Sequence, residues 1–252
     1  MSDIHSGLDS RHEKPVKKSS EQRYRFKSGR YSSHSQILRL IGRGTGRVLD
    51  VGCAEGYLAK QLTTLGWYVV GIENDPSSAS RAQTACDRVI LADLNKINPQ
   101  LLIEEPFDVV VCGDVLEHLV DPLTVLTDLK GNLNPGGQLI CSVPNVAHLW
   151  IRLNLLLGRF TYADRGIMDR THLRFFTRRS LIRLLTDAGL AVRSVRTAPV
   201  PIEEVIPAAH RGRGLWWLQS VGALFSTLLP TLFAYQFIVV AEIPPQQPQE
   251  PL

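Results

Sequence analysis

Four apolar runs, each closed by a glycine or a turn, restrict this chain more than anything else in its sequence. RVLDV (47–51), WYVVGIE (67–73), FDVVVCG (107–113) and QLICSV (138–143) are rich in β-branched residues and almost uninterrupted in apolar character. A strand with one wet face alternates apolar and polar side chains, whereas one that is apolar throughout is covered on both faces. YLAKQLTTLG (57–66) and DPLTVLTDLKGNL (121–133) have helical spacing, and the turn NPGG precedes the fourth run. Strands joined through helices run parallel, so the expectation is an α/β fold with a doubly wound, mostly parallel sheet. Ligands of such sheets bind outside the carboxyl ends of the strands, where the strand order reverses. That directs attention to residues 50–56, to Glu73 and to residues 112–118.

The chain has 252 residues, 44% hydrophobic and 21% charged, with a net charge of +4. That is enough apolar material for one large core, and too mild a charge to imply nucleic acid. Residues 1–30 are polar, rich in Lys, Arg and Ser, and lack both the period of a helix and the apolar stretch of a leader; they read as a disordered basic arm. Residues 244–252 read as a Pro/Gln tail. Cys53, Cys86, Cys112 and Cys141 form no C-x-x-C pair and read as reduced thiols in or near the core of a cytoplasmic protein.

Toward the C-terminus, TRRSLIRLLTDAGL (177–190) reads as an amphipathic helix and AVRSVRTA (191–198) as a strand. The segment 215–241 carries no charge and is long enough to span a bilayer, but Pro230 divides it. Before the proline, Trp217, Leu218, Val221, Leu224, Phe225, Leu228 and Leu229 form a stripe opposite Gln219, Ser220 and Ser226, expected to pack on the sheet. After it, FAYQFIVVAEI has the composition of a strand. HRGRG (210–214) ahead of this helix raises peripheral membrane contact through 210–229 as an alternative.

The chemistry centres on VLDVGCAEGYL. Asp50 ends a strand, small residues at Gly52, Ala54 and Gly56 let a ligand approach the backbone, and N–H groups at the start of the helix favour a carboxylate. Glu73 ends the next strand, 21 residues after Gly52, where a carboxylate can accept from both hydroxyls of a ribose. Those features also fit a nicotinamide-dependent oxidoreductase. However, a G-x-G-x-x-G fingerprint begun at Gly52 requires glycine at position 57, which is Tyr57.

Taken in order, VLDVGCAEG, VVGIEND, LADLNK, FDVVVCGDVLEHLVDP and LNPGGQLICSVPN resemble the class I S-adenosylmethionine-dependent methyltransferases, the group that includes ubiquinone O-methyltransferases and surface-polysaccharide methyltransferases. The resemblance covers residues 31–243 and implies a Rossmann-like sheet of seven strands, the last antiparallel. It implies that Gly52, Cys53, Ala54 and Gly56 hold the methionine end of S-adenosyl-L-methionine, with Asp50 in support. It places Glu73 on the ribose, Asp93 and the Leu94 backbone at the adenine, and Gly113 beside the methionine moiety. Ala54 stands where glycine is commoner.

A hydroxyl acceptor must lose its proton, and His118 and His172 are the candidate bases. Ubiquinone O-methyltransferases bind a divalent metal through a set similar to Asp114, Glu117 and His118. The preferred reading here is without metal, with Glu117 and His118 opening or capping the next helix. Residues 144–177 form an insertion that mixes aromatics (Trp150, Phe160, Tyr162, Phe175, Phe176) with five arginines, and read as a lid over the acceptor. The expected reaction is O-methylation of a small molecule, an envelope glycan or a lipid-linked sugar; methylation of nucleic-acid ribose is the alternative within the same family.

Overall fold

The computed structural model describes residues 29–202 and 213–245, the side chains of 213–216 excepted. Most of the basic arm, the segment 203–212 and nearly all of the Pro/Gln tail, and with them residues 210–212 of HRGRG, lie outside the described residues. The strands are β1 (Arg47–Val51), β2 (Tyr68–Glu73), β3 (Arg88–Leu91), β4 (Phe107–Gly113), β5 (Leu133–Pro144), β6 (Ala191–Ala198) and β7 (Gln236–Glu242). They form one seven-stranded sheet in the order β3-β2-β1-β4-β5-β7-β6. Neighbours from β3 to β5 are parallel, while β7 runs antiparallel to both β5 and β6. The doubly wound sheet with a reversed last strand is thus present as expected.

Consecutive residues of a strand point to opposite faces, and both faces are apolar here. Leu49, Val51, Val110, Cys112, Leu139 and Val239 pack on one side. That side is covered by α4 (Pro122–Lys130) and α6 (Arg178–Asp187), which contribute Leu126, Leu129, Leu181 and Leu185. Val48, Val109, Val111, Ile140 and Ile238 pack on the other, against α1 (Ser33–Ile41) and α2 (Tyr57–Thr64). Asp50 shares this second face with Val48, so a carboxylate ends an otherwise apolar row.

Local chemistry sets the helix starts. Asp75 and Asp121 accept from the N–H groups of Ser78 and Thr124, and each is followed by proline in the first turn, opening α3 (Pro76–Ala82) and α4. Thr177 and Ser180 cap α6 reciprocally. NPGG, expected as a turn before the fourth strand, lies within β5 instead: pairing starts at Leu133 opposite Phe107, shifts register, and resumes at Gln138 opposite Val109. The strand absorbs the extra residues as an irregularity, with Gly136 at φ +80°.

The helix before Pro230 is α7 (Arg213–Leu228), followed by a single turn, α8 (Pro230–Phe233). Its apolar stripe does not pack on the sheet. Trp217 and Leu228 are 68% and 64% exposed, and Leu218, Leu224, Phe225 and Leu229 are exposed too, while Ser226 is buried with its hydroxyl 3.3 Å from Thr197 Oγ1 of β6. The reason is size: a Cβ added at Gly222 would sit 3.7 Å from Pro199 Cβ, so the helix lies close through its small residues. Among the described residues no helix is long and apolar enough to cross a membrane.

Candidate active site

The strand order reverses between β1, which pairs with β2 on one side, and β4 on the other. The chain leaves β1 through a turn in which Gly52, Ala54 and Gly56 have φ of +68°, +50° and +77°. At Gly52 a side chain would place its Cβ 2.7 Å from Val115 Cγ2, so the turns after β1 and β4 touch there. The turn is closed on itself. Gly52 and Cys53 donate to Ile72 O (2.8 and 3.0 Å), Gly56 donates to Cys53 O (2.8 Å), and Ala54 donates to Glu73 Oε2 (2.8 Å). These four N–H groups are committed within the protein, so the turn offers a shaped surface more than a row of donors.

Glu73 is the buried post that holds this shape. Besides Ala54 it accepts from Asn74 N and Asp75 N, both at 2.9 Å to Oε1. A carboxylate has about four acceptor positions, which leaves one for a ligand after these three. Asp50 is only 3% exposed and its Oδ2 meets no protein donor. Burial first, and the Glu73 carboxylate second, push the Asp50 carboxyl up to about 7. A buried acceptor without a partner is the group a cationic ligand satisfies. Cys53 is hydrogen-bonded to Cys86, and that contact together with burial holds its thiol un-ionised, a packing residue in the floor of the turn.

The remaining residues of the cofactor set line the same end of the sheet. Ala92 N donates to Glu73 O (2.9 Å), which brings Asp93 and Leu94 alongside β2. Asp93 is held below the usual carboxylate range by Lys96 at 3.0 Å and by the N–H of Asn95, so its carboxylate is already partnered. Leu94 packs against the core. Gly113 ends β4 under α1, with Ile37 Cδ1 3.8 Å from the position of a Cβ.

The side expected to receive the acceptor is formed by the turn after β4 and by the insertion. Within the insertion α5 (Leu149–Leu156) is followed by an irregular return to Phe176, which bridges to Asn145. Leu173 N and Arg174 N donate to Glu117 O (2.8 and 3.0 Å), pinning that return to the turn. His118 and His172 then stand edge to face, ring centroids 4.9 Å apart, and the aromatic chain continues through Phe175 (6.2 Å) to Phe160 (6.5 Å). Burial, followed by His118, pulls His172 below the ordinary imidazole range, so it is neutral at pH 7. Trp150, Phe160 and Tyr162 are exposed, whereas Phe176 is buried in the core. Arg170 pairs with Asp164 (3.0 Å) and Arg174 donates to Val120 O (3.2 Å).

A cavity of about 160 Å³ lies inside the insertion, lined by Trp150, Ile151, Asn154, Leu155, Arg159, Phe160, Thr161 and Met168. A second, of about 170 Å³, opens at the amino ends of β1, β2 and β4 around Arg47, Tyr68 and Phe107. It is at the wrong end of the sheet for the glycine turn and has no part in the site.

Three polar residues that carry this geometry were not singled out from the sequence. Ser142 Oγ and Gln236 Nε2 donate to Asp114 Oδ1 (2.6 and 2.8 Å), joining the ends of β4, β5 and β7. Asn145, fully buried, donates to Thr231 O and Ala234 O and fixes where the insertion leaves the sheet. The one signal available was polarity at the ends of apolar runs, in QLICSVPN and FAYQFIV.

The methyltransferase domain family matches residues 22–195, and the chain belongs to that family. Among curated proteins it is similar to the ubiquinone biosynthesis O-methyltransferases of Cereibacter sphaeroides (37% identical over 149 residues) and of Bradyrhizobium diazoefficiens (30% over 154 residues). The matches cover 57% and 58% of this chain and 60% and 58% of those proteins, so the chain spans less than two thirds of the length of these relatives. In fold it is similar to an S-adenosylmethionine-dependent methyltransferase from Archaeoglobus fulgidus, with a TM-score of 0.58 at 18% identity over 86% of this chain and 95% of that one. Membership of this family sets aside the nicotinamide oxidoreductase.

Proposed function

We propose that this chain transfers a methyl group from S-adenosyl-L-methionine to an oxygen of a small molecule or of an envelope glycan or lipid-linked sugar. The observation that carries the proposal is the pairing of a closed, left-handed glycine turn with the buried Asp50 Oδ2, which meets no protein donor. The cofactor's ammonium or sulfonium charge is the complement that Asp50 is missing. Glu73 keeps one acceptor position for a ribose hydroxyl, and the loop at Asp93 and Leu94 borders the adenine. The ubiquinone O-methyltransferase relatives support oxygen as the receiving atom.

When bound, the cofactor supplies a methyl group already made electrophilic by its sulfonium sulfur. The protein's share is therefore orientation, which contributes roughly 7–11 kcal/mol in favourable cases, and removal of the acceptor's proton. Neutral His172 suits the second task. Its Nδ1 lies 3.1 Å from Ile167 O, a carbonyl that only accepts, so Nδ1 carries the proton and Nε2 has the free lone pair. His118 Nδ1 is fixed the same way by Thr171 O at 3.2 Å. The exposed rings of Phe160 and Tyr162 offer faces on which a sugar or quinol ring can lie.

Calorimetric titration with S-adenosylhomocysteine tests the cofactor half. The wild-type protein binds and NAD does not. Glu73→Ala leaves three N–H donors without their acceptor, and at about 1–3 kcal/mol for each such group the turn loosens and affinity falls about 100-fold. A wild-type protein without affinity, or Glu73→Ala with full affinity, refutes the reading. Incubation with labelled cofactor and a panel of sugars and quinol precursors tests the acceptor half.

A further inference from the structure

The resemblance to ubiquinone O-methyltransferases implies an oxygen-rich metal set of Asp114, Glu117 and His118, and the chain does not assemble it. Asp114 lies in the left-handed region (φ +57°), and its Oδ1 is taken by Ser142 and Gln236. That carboxylate ties three strand ends together. What meets Glu117 and His118 instead is His172 from the insertion. One carboxylate oxygen and one ring nitrogen from each histidine all lie within 4.8 Å of one another.

Two further observations give this cluster the build of a ligand set. Each imidazole donates its Nδ1–H to a backbone carbonyl, Thr171 O for His118 and Ile167 O for His172, which leaves an electron pair on the other nitrogen. Hydrogen bonds of this kind orient and fix the tautomer of histidines that bind metals. The segments are also held in register, because Leu173 N and Arg174 N donate to Glu117 O itself. A buried carboxylate and two imidazoles, brought together within 4.8 Å from two separate segments, supply three electron-pair donors of the kind that a cation takes.

We infer that Glu117, His118 and His172 bind a transition metal of the zinc class, the third ligand being delivered by the insertion. Two imidazoles and one carboxylate match open zinc sites, whereas magnesium prefers oxygen donors and keeps its own waters. Zinc bonds of about 2.1 Å in tetrahedral geometry set donors about 3.4 Å apart, so loading draws the cluster inward by on the order of 1 Å. The inference rests on the proposed function only for its position beside the acceptor. There a bound divalent ion would lower the pKa of a hydroxyl or water, and in the loaded protein that would replace the base role given above to His172.

The test is metal binding by the full chain after exhaustive chelation, followed by calorimetry and, for cobalt, by visible absorption. Zinc and cobalt bind one per chain, with the intense visible bands of tetrahedral cobalt, and magnesium binds at least about 100-fold more weakly. His172→Ala lowers zinc affinity at least about 100-fold, and His172→Gln does likewise if the alanine variant folds poorly by circular dichroism. Asp114→Asn keeps it. Preference for magnesium, unchanged zinc affinity in both His172 variants, or loss in Asp114→Asn alone overturns the inference. Titrating S-adenosylhomocysteine into the same stripped protein separates the two ideas: affinity for it without affinity for zinc sinks only the metal site, and the reverse sinks only the cofactor site.

Discussion

Residues 50–56 and Glu73 commit almost every polar group they carry, whereas the segment from Leu149 to Tyr162 turns Trp150, Leu156, Phe160 and Tyr162 outward. On the cofactor side, N–H groups of the turn are spent on Ile72 O, Cys53 O and Glu73, the glycines stand against Val115 and Ala85, and one carboxylate oxygen of Asp50 is left over. On the acceptor side, order comes from a few anchors: Asn145 on α8, the Glu117 carbonyl, and a ring chain from Phe160 to His118. One half of the cleft is finished before any ligand arrives, and its cost lies in a buried, unneutralised acid. The other half leaves large apolar side chains in solvent.

The largest way to break that contrast is to remove the acid. An unfolded Asp50 ionises near 3.8, while the folded one keeps its proton until about 7. Between those values the folded state holds the extra proton, so stability falls as pH rises from about 4 to about 7 and is level above. The accumulated penalty above pH 7 is about 4 kcal/mol. Asp50→Asn removes it: urea unfolding at pH 8 gives a more stable protein, by up to that amount, and the difference vanishes near pH 4. The same variant loses its affinity for S-adenosylhomocysteine, because a neutral amide cannot complement a cation. Parallel stability–pH curves for the two proteins would show that Asp50 is not strained by its burial.

A smaller effect sharpens the contrast inside the turn itself. Ala54 occupies φ +50°, a region that costs an L side chain about 1–2 kcal/mol and a glycine almost nothing. Ala54→Gly recovers part of this, the remainder being lost to the greater freedom of glycine in the unfolded chain. The net gain is about 0.5–1 kcal/mol by urea denaturation, with affinity for S-adenosylhomocysteine within about twofold, since Ala54 N still reaches Glu73. Destabilisation would mean that the methyl group packs usefully, and the strain would have to be sought elsewhere.

The finished half was also the legible one. Asp50, the three small residues and Glu73 lie in sequence order at the ends of apolar runs, and their backbone geometry follows from strand and turn rules alone. Three strands were bounded to within a residue from apolar character, and AVRSVRTA from its alternation, while the fourth run, QLICSV, caught only the second half of β5. β3, four residues at the sheet edge and only half-buried, lacked such a run and was not read as a strand; neither was α1 read as a helix. The orientation of α7 was read backwards, because a stripe of large apolar residues outweighed Gly222 and Ser226, the small ones that meet Pro199 and Thr197. In the acceptor half the partnership of His118 with His172 is a contact across 53 intervening positions of chain, set by where the Glu117 carbonyl catches Leu173 and Arg174. No spacing rule reports such a contact.

The smallest predicted effect is the most direct test of the second half. Leu156 is 82% exposed at the end of α5, and Leu157 beside it is 67% exposed. Replacing an apolar side chain that buries nothing removes no transfer free energy and opens no cavity, so Leu156→Gln changes stability by less than about 0.5 kcal/mol. It also leaves S-adenosylhomocysteine affinity unaltered, because nothing in the glycine turn or at Glu73 touches α5. Urea denaturation and calorimetry on the isolated protein measure both. A loss of 1 kcal/mol or more would mean that Leu156 is covered in solution, and the acceptor half would then be as fully assembled as the cofactor half. A shift in affinity alone would couple the halves through the turn after β4, which meets the glycine turn where Val115 faces Gly52.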